Sequence, residues 1–307
     1  MKDWNVDQMV SMDGKVVVVT GGNSGLGYES IAALGARGAE CVMASRSANK
    51  ARAARDAILT RCPNARIQIM SLDLASLASV RSFAEEFKKK YERLDVLMNN
   101  AGVMAIPERR TADGFEMQFG TNHLGHFALT GRLLDVLLAT AGSRVVSVTS
   151  LAADTGRINF DDLMSRKSYS RWTVYGQSKL ANMLFGIELQ RRLKVAGRET
   201  MSMLAHPGVS ATNLQKGLAD EGGIFGAIAA AVLPLVCQSQ AMGALPQLYA
   251  ATAPELSGGE YIAPRGFYEM YGLPKLAKFP RPGRDAKAAW RLWDASVELT
   301  GVDFAPL

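Results

Sequence analysis

Short apolar runs alternate with longer segments of helical periodicity along the chain. Residues 15–20, KVVVVT, form a continuous β-branched run, and six further runs share its lack of polar alternation. Runs of this kind are typical of strands covered on both faces, as in a parallel sheet. The pattern therefore predicts buried strands over residues 15–20, 41–44, 66–70, 96–98, 145–149, 201–205 and 260–262.

The segments between these runs have the spacing of helices, over residues 25–37, 76–91, 115–141 and 175–195. Ser76 suits the N-cap of the second helix because its hydroxyl can accept a hydrogen bond from a first-turn N–H. Alternation of strands and helices predicts an α/β fold. We expect a single-domain, Rossmann-type, doubly wound parallel sheet of about seven strands, with helices on both faces. That domain spans residues 1–307 and ends in a C-terminal extension, about 265–307, read as a loop and a terminal helix.

One segment departs from this pattern, because no residue between 222 and 254 is charged. Its densest apolar run, 224–236, contains Pro234 and is shorter than the ~20 residues that a membrane-spanning helix needs. The segment therefore favours a core helix or an apolar lid over a ligand site, the lid extending over about 209–253.

Composition places the chain among ordinary globular proteins, with 48% hydrophobic and 21% charged residues in 307. The three cysteines, Cys41, Cys62 and Cys237, are far apart, which argues against a disulfide framework or a thiolate zinc site. A reducing, cytoplasmic location is therefore expected, and residues 1–5 lack the apolar core of a secretory signal. The net charge of +6 is scattered, so no nucleic-acid partner is predicted, only a mild preference for anionic ligands.

Two histidines, His123 and His126, lie three residues apart in the third predicted helix. Such spacing can bring two imidazoles to one metal, but no carboxylate or thiol converges with them in the sequence. No metal site is therefore predicted. The simpler interpretation is one histidine that faces inward and one that faces solvent.

A glycine-rich segment follows the first predicted strand directly and opens the first helix. In this context glycines allow a tight turn, and the helix N-terminus offers free N–H groups to a pyrophosphate. The alternative is a glycine-rich strand–helix turn without a ligand. The predicted coenzyme-binding residues of this loop are Gly21, Asn23, Ser24, Gly25, Leu26 and Gly27.

The end of the second strand indicates which dinucleotide binds. An acid would be expected there for NAD, whereas the chain has Ser45 and Arg46. A guanidinium can bind a ribose 2′-phosphate through two hydrogen bonds. The sequence therefore favours NADP(H), with NAD(H) as the alternative and a solvated surface role as the other interpretation of Arg46.

Together with later motifs, these residues resemble the short-chain dehydrogenase/reductase family. A narrower resemblance, to the retinol-dehydrogenase-like branch, rests on residues 121–127 and 178–185 and on a stretch, 158–169, between Ser150 and Tyr175. Light-dependent protochlorophyllide reductases are similar in pattern, but this chain lacks two cysteines of that group. The family motifs lie within residues 15–214 and are 20–27, Asp73-Leu74, Asn99-Asn100-Ala101-Gly102, Asn122, Ser150, Tyr175-Gly176-Gln177-Ser178-Lys179 and Pro207-Gly208.

The resemblance implies further coenzyme contacts. Asp73 and Leu74 would lie beside the adenine, and Asn100, Ala101 and Gly102 on the ribose side. The nicotinamide would run along the turn after the sixth strand, and Tyr175 and Lys179 would also reach the coenzyme. For His206, just before this turn, two interpretations remain: a structural role and a ligand contact. The turn residues are Pro207, Gly208 and Val209.

Tyr175 and Lys179 are four residues apart, so a helix places both on one face. An ammonium group nearby would lower the phenol pKa toward neutrality and make Tyr175 an acid/base. Ser150 closes the fifth strand and would hold the substrate oxygen, with Thr149 as the competing hydroxyl. By resemblance, Asn122 anchors a water that links Lys179 to solvent; the alternative is a solvated helix asparagine.

These residues predict an NADP(H)-dependent oxidoreductase that transfers a hydride between nicotinamide and the carbon of an alcohol/carbonyl pair. The apolar lid favours a lipophilic alcohol, aldehyde or ketone. A catalytically silent NADP-binding sensor on the same fold is the alternative function. Contact of residues 222–253 with a membrane surface is a less favoured alternative, and family members suggest a homodimer through helices 115–141 and 175–195.

Overall fold

The computed structural model describes residues 3–209, 238–305 and 307. Within these ranges eight strands form one sheet in the order β3-β2-β1-β4-β5-β6-β7-β8. Strands β1 to β7 are parallel, and β8 runs antiparallel to β7. The strands are β1 Val16–Thr20, β2 Glu40–Ser45, β3 Arg66–Ser71, β4 Val96–Asn99, β5 Arg144–Val148, β6 Met201–Ala205, β7 Tyr261–Pro264 and β8 Pro274–Leu276.

Helices cover both faces of the sheet. Because side chains alternate across a strand, Val17 and Val19 of β1 pack into one core, and Val16 and Val18 into the other. This two-sided burial explains why the inner strands lack polar alternation, whereas the edge strand β3 alternates. The helices are α1 Gly25–Ala36, α2 Ala48–Arg61, α3 Leu77–Lys90, α4 Met117–Phe119, α5 Gly125–Arg132, α6 Leu134–Ala139, α7 Arg171–Val195, α8 Gln240–Thr252 and α9 Ala286–Thr300.

The strand order reverses between β1 and its neighbours β2 and β4. In open α/β sheets, a cleft forms at the carboxyl ends of the strands at such a switch point. The predicted Rossmann-type, doubly wound sheet is thus confirmed, with β8 added at its edge. The predicted cap of α3 is also present, since Ser76 Oγ accepts a hydrogen bond from the Ser79 N–H.

Helix α8 lies within the segment predicted as a lid. It is buried from Gly243 onward and packs against α1 and the sheet, and Arg144 donates to its last carbonyls at Ala250 and Ala253. Residues 240–252 thus match the core-helix alternative. The rest of the lid prediction falls mainly on residues 210–237, which lie outside the described part of the chain.

Two predictions of secondary structure were wrong. The single helix expected over 115–141 is divided into α4, a π-helical turn at Gly120–Leu124, α5 and α6. The C-terminal extension contains β8 before its terminal helix, because 274–276 pairs with the edge of β7. Among the described helices, none combines the length and apolarity needed to cross a membrane.

Candidate active site

A cleft of about 410 Å³ opens at the carboxyl ends of β1, β4 and β5. Three of the predicted site residues, Gly27, Asn122 and Val209, lie beside or behind it rather than in its wall. The others line it: Gly21, Asn23, Ser24, Gly25, Leu26, Ser45, Arg46, Asp73, Leu74, Asn100, Ala101, Gly102, Ser150, Tyr175, Lys179, Pro207 and Gly208.

The glycine loop has a backbone that side chains would not permit. Gly21 and Gly25 have φ of 66° and 58°, in the left-handed region. A methyl group on Gly27 would lie 2.6 Å from the Gly21 carbonyl oxygen. The Ser24 side chain does not cap α1, so the first N–H groups of the helix remain available to a ligand in the cleft. This cradle fits the pyrophosphate of a dinucleotide.

The end of β2 carries the side chains expected to distinguish the two dinucleotides. Arg46 is exposed at the rim of the cleft, while Ser45 is buried and donates to Asn23 Oδ1 at 2.9 Å. Among the described lining residues, Asp73 is the only acid, and its Oδ1 accepts from the Ala75 N–H. The rim at Arg46 is therefore suited to a 2′-phosphate.

Two residues that are not among the predicted site residues hold the Asn100–Gly102 turn. Thr20 Oγ1 accepts from the backbone N–H groups of Asn100 and Ala101, each at 2.9 Å. Gln247, fully buried in α8, donates to Asn100 Oδ1 at 3.1 Å and to Ser30 Oγ at 2.8 Å. An amide at the centre of the apolar stretch 241–251 is the signal in the sequence that could have identified Gln247.

Tyr175 and Ser150 meet in the cleft, on α7 and just after β5. Ser150 Oγ hydrogen-bonds the phenol, which lowers the pKa of Tyr175, but burial has the larger effect and raises it. The expected depression of the phenol pKa by Lys179 is thus not found. Lys179 Nζ lies 5.9 Å from the Tyr175 ring centre and donates to the Val148 carbonyl at 3.2 Å.

Lys179 is itself buried at the base of the cleft. Burial penalises the ammonium form and lowers the pKa of Lys179 to about 8. A methyl group on Gly102 would lie 3.4 Å from Lys179 Nζ, so the two are in close proximity. The Lys179 side chain therefore places a proton donor with a pKa of about 8 beside the Asn100–Gly102 turn.

Asn122 lies in the π-helical turn and is completely buried, which excludes the solvated asparagine. Its Oδ1 accepts from the Val103 N–H at 2.8 Å, and its Nδ2 donates to Val103 O and Ser178 Oγ, each at 2.9 Å. These bonds connect the turn after β4 to α7. A π turn of this kind is frequent at functional sites.

Ser150, rather than Thr149, presents its hydroxyl to Tyr175. Thr149 is buried, and its Oγ1 donates to the Lys179 carbonyl at 2.7 Å. Ser150 is half-buried and lines the cleft beside the phenol. Both residues line the cleft, but the Thr149 hydroxyl is bonded to the Lys179 carbonyl, whereas the Ser150 hydroxyl bonds the phenol of Tyr175.

Both histidines of the third predicted helix are buried, so the expectation of one inward and one exposed side chain was wrong. Helix α5 packs against α3, and the π turn packs against α4, α7 and α9. His123 Nε2 lies 2.8 Å from Ser296 Oγ, and His126 Nδ1 lies 2.8 Å from Asn122 O. Across residues 3–209, 238–305 and 307, no three His, Cys, Asp or Glu side chains converge on a metal site.

The turn after β6 is held by His206, which is structural. Its Nδ1 accepts from the Gly208 N–H at 3.1 Å, and its Nε2 lies 3.2 Å from Glu269 Oε2. Gly208 has φ of 64°, and a methyl group there would lie 2.3 Å from the Met270 carbonyl oxygen. Val209, outside the cleft wall, donates its N–H to the same carbonyl at 2.7 Å.

The extra stretch before α7, over residues 158–169, is attached by Gln177. Its Oε1 accepts from the Asn159 N–H at 2.8 Å, and its Nε2 donates to Leu163 O at 3.1 Å. Tyr169 also donates to the Ile106 carbonyl at 2.9 Å. The stretch is thus fixed to the same helix that carries Tyr175 and Lys179.

Comparison with known proteins agrees with this geometry. A family model described as short chain dehydrogenase matches residues 15–222. Retinol dehydrogenase 13 of Homo sapiens is 41% identical over 297 residues, covering 95% of this chain and 86% of that protein. Retinol dehydrogenase 12 of Homo sapiens is 39% identical over 295 residues, covering 95% and 88%.

Solved structures show the same fold. The crystal structure of an uncharacterized protein from Mycobacterium paratuberculosis has a TM-score of 0.82 and 41% identity, and each chain is covered to 100%. A short chain dehydrogenase from Shigella flexneri, complexed with NADP, has a TM-score of 0.65 at 19% identity, covering 82% of this chain and 96% of that one. The chain belongs to the short-chain dehydrogenase family, in its retinol-dehydrogenase-like branch, and is an oxidoreductase acting on CH–OH and C=O groups.

Proposed function

We propose that the protein interconverts a lipophilic alcohol and its carbonyl compound with NADP(H), using Tyr175 as the acid/base. The observation that carries this proposal is the meeting of Ser150, Tyr175 and Lys179 in a cleft whose other wall is the glycine loop. A proton-transfer group and a coenzyme cradle are thereby adjacent. Each of them alone would be compatible with many other functions.

The cleft wall supplies the contacts that a nicotinamide dinucleotide needs. The loop at Gly21–Gly25 and the start of α1 would hold the pyrophosphate, and the Asn100–Gly102 turn would lie along the ribose. When bound, NADP(H) supplies or accepts the hydride. Gly208 would border the nicotinamide, where its lack of a side chain lets the turn stay closed against Met270.

The protein's part in the reaction is to hold and move a proton. In the reductive direction, the Tyr175 phenol would donate to the carbonyl oxygen, which Ser150 Oγ orients. Because burial raises the phenol pKa in this structure, the proton stays on Tyr175 until a partner stabilises the phenolate. The Lys179 ammonium and the positive charge of the oxidised nicotinamide would both stabilise the phenolate of Tyr175.

Two observations support the choice of coenzyme and substrate. Arg46 stands at the rim where a 2′-phosphate would lie, and a structural relative is complexed with NADP. Two relatives that cover 95% of this chain are retinol dehydrogenases, and the segment 222–254 carries no charge. A retinoid-like alcohol or aldehyde is therefore the substrate class we propose.

The test is Tyr175→Phe, assayed for NADPH oxidation with hydrophobic aldehydes, retinaldehyde among them. Loss of the acid should reduce kcat by roughly 10²–10⁴-fold, with NADPH affinity retained. Tyr169→Phe is the matched control, because that phenol bonds the Ile106 carbonyl outside the cleft wall. Unchanged turnover in Tyr175→Phe contradicts the mechanism. Tight NADPH binding without turnover of any carbonyl by the parent enzyme would instead favour the silent sensor.

A further inference from the structure

His126 connects two parts of the site that are far apart in the sequence. Its side chain is 2% exposed, on the first turn of α5. Nδ1 lies 2.8 Å from the main-chain oxygen of Asn122, and Nε2 lies 2.9 Å from Thr20 Oγ1 at the end of β1. The ring therefore bridges the π turn and the strand that leads into the glycine loop.

The protonation of this ring follows from its partners. Burial, opposed by the bond to Asn122 O and aided by the nearby Lys179, lowers the pKa of His126 to about 4, so the ring is neutral and carries one N–H. The Asn122 carbonyl can only accept, which places that hydrogen on Nδ1. Nε2 then accepts the Thr20 hydroxyl hydrogen, in preference to the Met98 carbonyl at 3.3 Å.

Thr20 is fully used in this arrangement. Its hydroxyl donates to His126 Nε2, and its two lone pairs accept from the N–H groups of Asn100 and Ala101. The Asn122 side chain in turn holds both backbone groups of Val103. The start and the end of the 100–103 turn are thus fixed through Thr20 and Asn122, and His126 joins the two.

We propose that His126 is a positioning residue that couples the coenzyme-binding turn to Asn122 through this one defined tautomer. The inference rests on the proposed function and assigns His126 no contact with substrate or coenzyme. The Nε2 bond sets the placement of the Asn100–Gly102 turn, on which coenzyme affinity depends. The Nδ1 bond sets the position of the Asn122 carbonyl. The Asn122 side chain in turn donates to Ser178 on α7, the helix that carries Tyr175 and Lys179.

Three variants separate the two bonds. His126→Phe keeps the ring shape and removes both. In His126→Asn the amide nitrogen occupies the Nδ1 position and keeps the Asn122 bond, whereas His126→Gln reaches only toward Thr20. We expect NADPH affinity to fall about tenfold in the Phe and Asn variants, and kcat to fall about tenfold in the Phe and Gln variants. Compared with His126→Phe, the Asn variant thus restores kcat and the Gln variant restores NADPH affinity.

His123→Phe is the matched control. His123 is as deeply buried, lies three residues earlier and contacts Ser296 and aromatic rings rather than the site. We expect its kcat and NADPH affinity to stay within about twofold of the parent enzyme. If His126→Phe and His123→Phe lose only thermal stability, and to a similar extent, the coupling is refuted and His126 is a packing residue.

The outcome can be separated from that of the proposed function. NADPH affinity, measured by fluorescence titration, tests the Thr20 bond even if no carbonyl substrate is turned over. If His126→Phe does not fold, the Asn and Gln variants carry the same comparison. Equal NADPH affinity and equal kcat in those two variants would also overturn the proposal.

Discussion

Lys179 is a residue where burial and function act in opposite directions. Its ammonium is removed from water at the base of the cleft, and the Val148 carbonyl at 3.2 Å compensates only in part, so the pKa falls to about 8. A group with a lowered amine pKa destabilises the folded state while it is charged. The protein therefore keeps this charge for its chemistry, at the expense of stability.

We expect Lys179→Met to be inactive and yet more stable than the parent enzyme without coenzyme at pH 7, by up to about 3 kcal/mol. The unfolded chain holds its Lys179 proton up to pH 10.5 and the folded chain only up to about 8. The advantage of the variant is therefore full below pH 8 and is lost between about 8 and 10.5. Denaturant unfolding across this range measures it.

Lys50→Met, on the exposed side of α2, is the control for losing a lysine as such. Its stability should remain within about 0.5 kcal/mol of the parent at every pH. A Lys179→Met variant that is less stable at pH 7 would show that the bond to Val148 outweighs the cost of burial.

Residue identities were easier to predict than residue environments. The sequence identified Ser150, Tyr175 and Lys179 by type and order, and the structure brings them together. It could not predict that burial, rather than the Lys179 charge, dominates the phenol pKa, because desolvation depends on every segment around the site. For the same reason His126 was read as an ordinary helix residue: its partner Thr20 is 106 residues away in the chain.

At the scale of elements, helix α1 has one end at the coenzyme loop and the other in the core. At Gly27 a methyl group would meet the Gly21 carbonyl and Asn100 Nδ2, both at 2.6 Å, and at Gly35 it would meet Ala65 Cβ at 3.0 Å. The same substitution at the two ends therefore has different consequences. The first distorts the loop itself, and the second presses only on a neighbouring side chain.

We expect Gly27→Ala to cost about 1–3 kcal/mol of stability and to weaken NADPH binding at least tenfold, because backbone groups of the loop must move. Gly35→Ala should leave NADPH affinity unchanged, because the added methyl group presses only on Ala65. Its stability should stay close to that of the parent, since the gain in helix propensity of about 1 kcal/mol offsets the tighter packing. Calorimetry and NADPH titration of both variants test this. Equal loss of affinity in the two would mean that α1 shifts as a whole.

Elements with a strong pattern could be predicted, and those stabilised by tertiary contacts could not. Strands β1, β2 and β4 to β7 were predicted because burial on both faces leaves continuous apolar runs, whereas β3, at the sheet edge, alternates between buried and more exposed residues. Strand β8 has only three residues at the sheet edge. Helix α2 buries Ala51, Ala54 and Ile58 at helical spacing, but two of these are alanines, so its apolar signal is weak. The π turn was hidden because Asn122 is stabilised there by Val103 and Ser178, which lie in other segments.

At the scale of the whole molecule, the cleft is built by loops that follow six different strands. With the residues after β3 included, loops after all six strands from β1 to β6 line it, so the walls are joined mainly through the sheet beneath them. A ligand in the cleft contacts both halves of the sheet at once. Coenzyme binding should therefore stabilise the fold globally rather than locally.

We expect NADP to raise the Tm by about 5 °C at a hundredfold excess over its Kd, since such binding contributes about 2.7 kcal/mol and each kcal/mol shifts a large domain by roughly 2 °C. NAD at the same concentration should raise it less, because only NADP offers Arg46 a 2′-phosphate. Arg46→Ser should remove the difference between the two, whereas Arg52→Ser, exposed on α2, should preserve it. A larger shift with NAD than with NADP in the parent enzyme would reverse the assignment of Arg46.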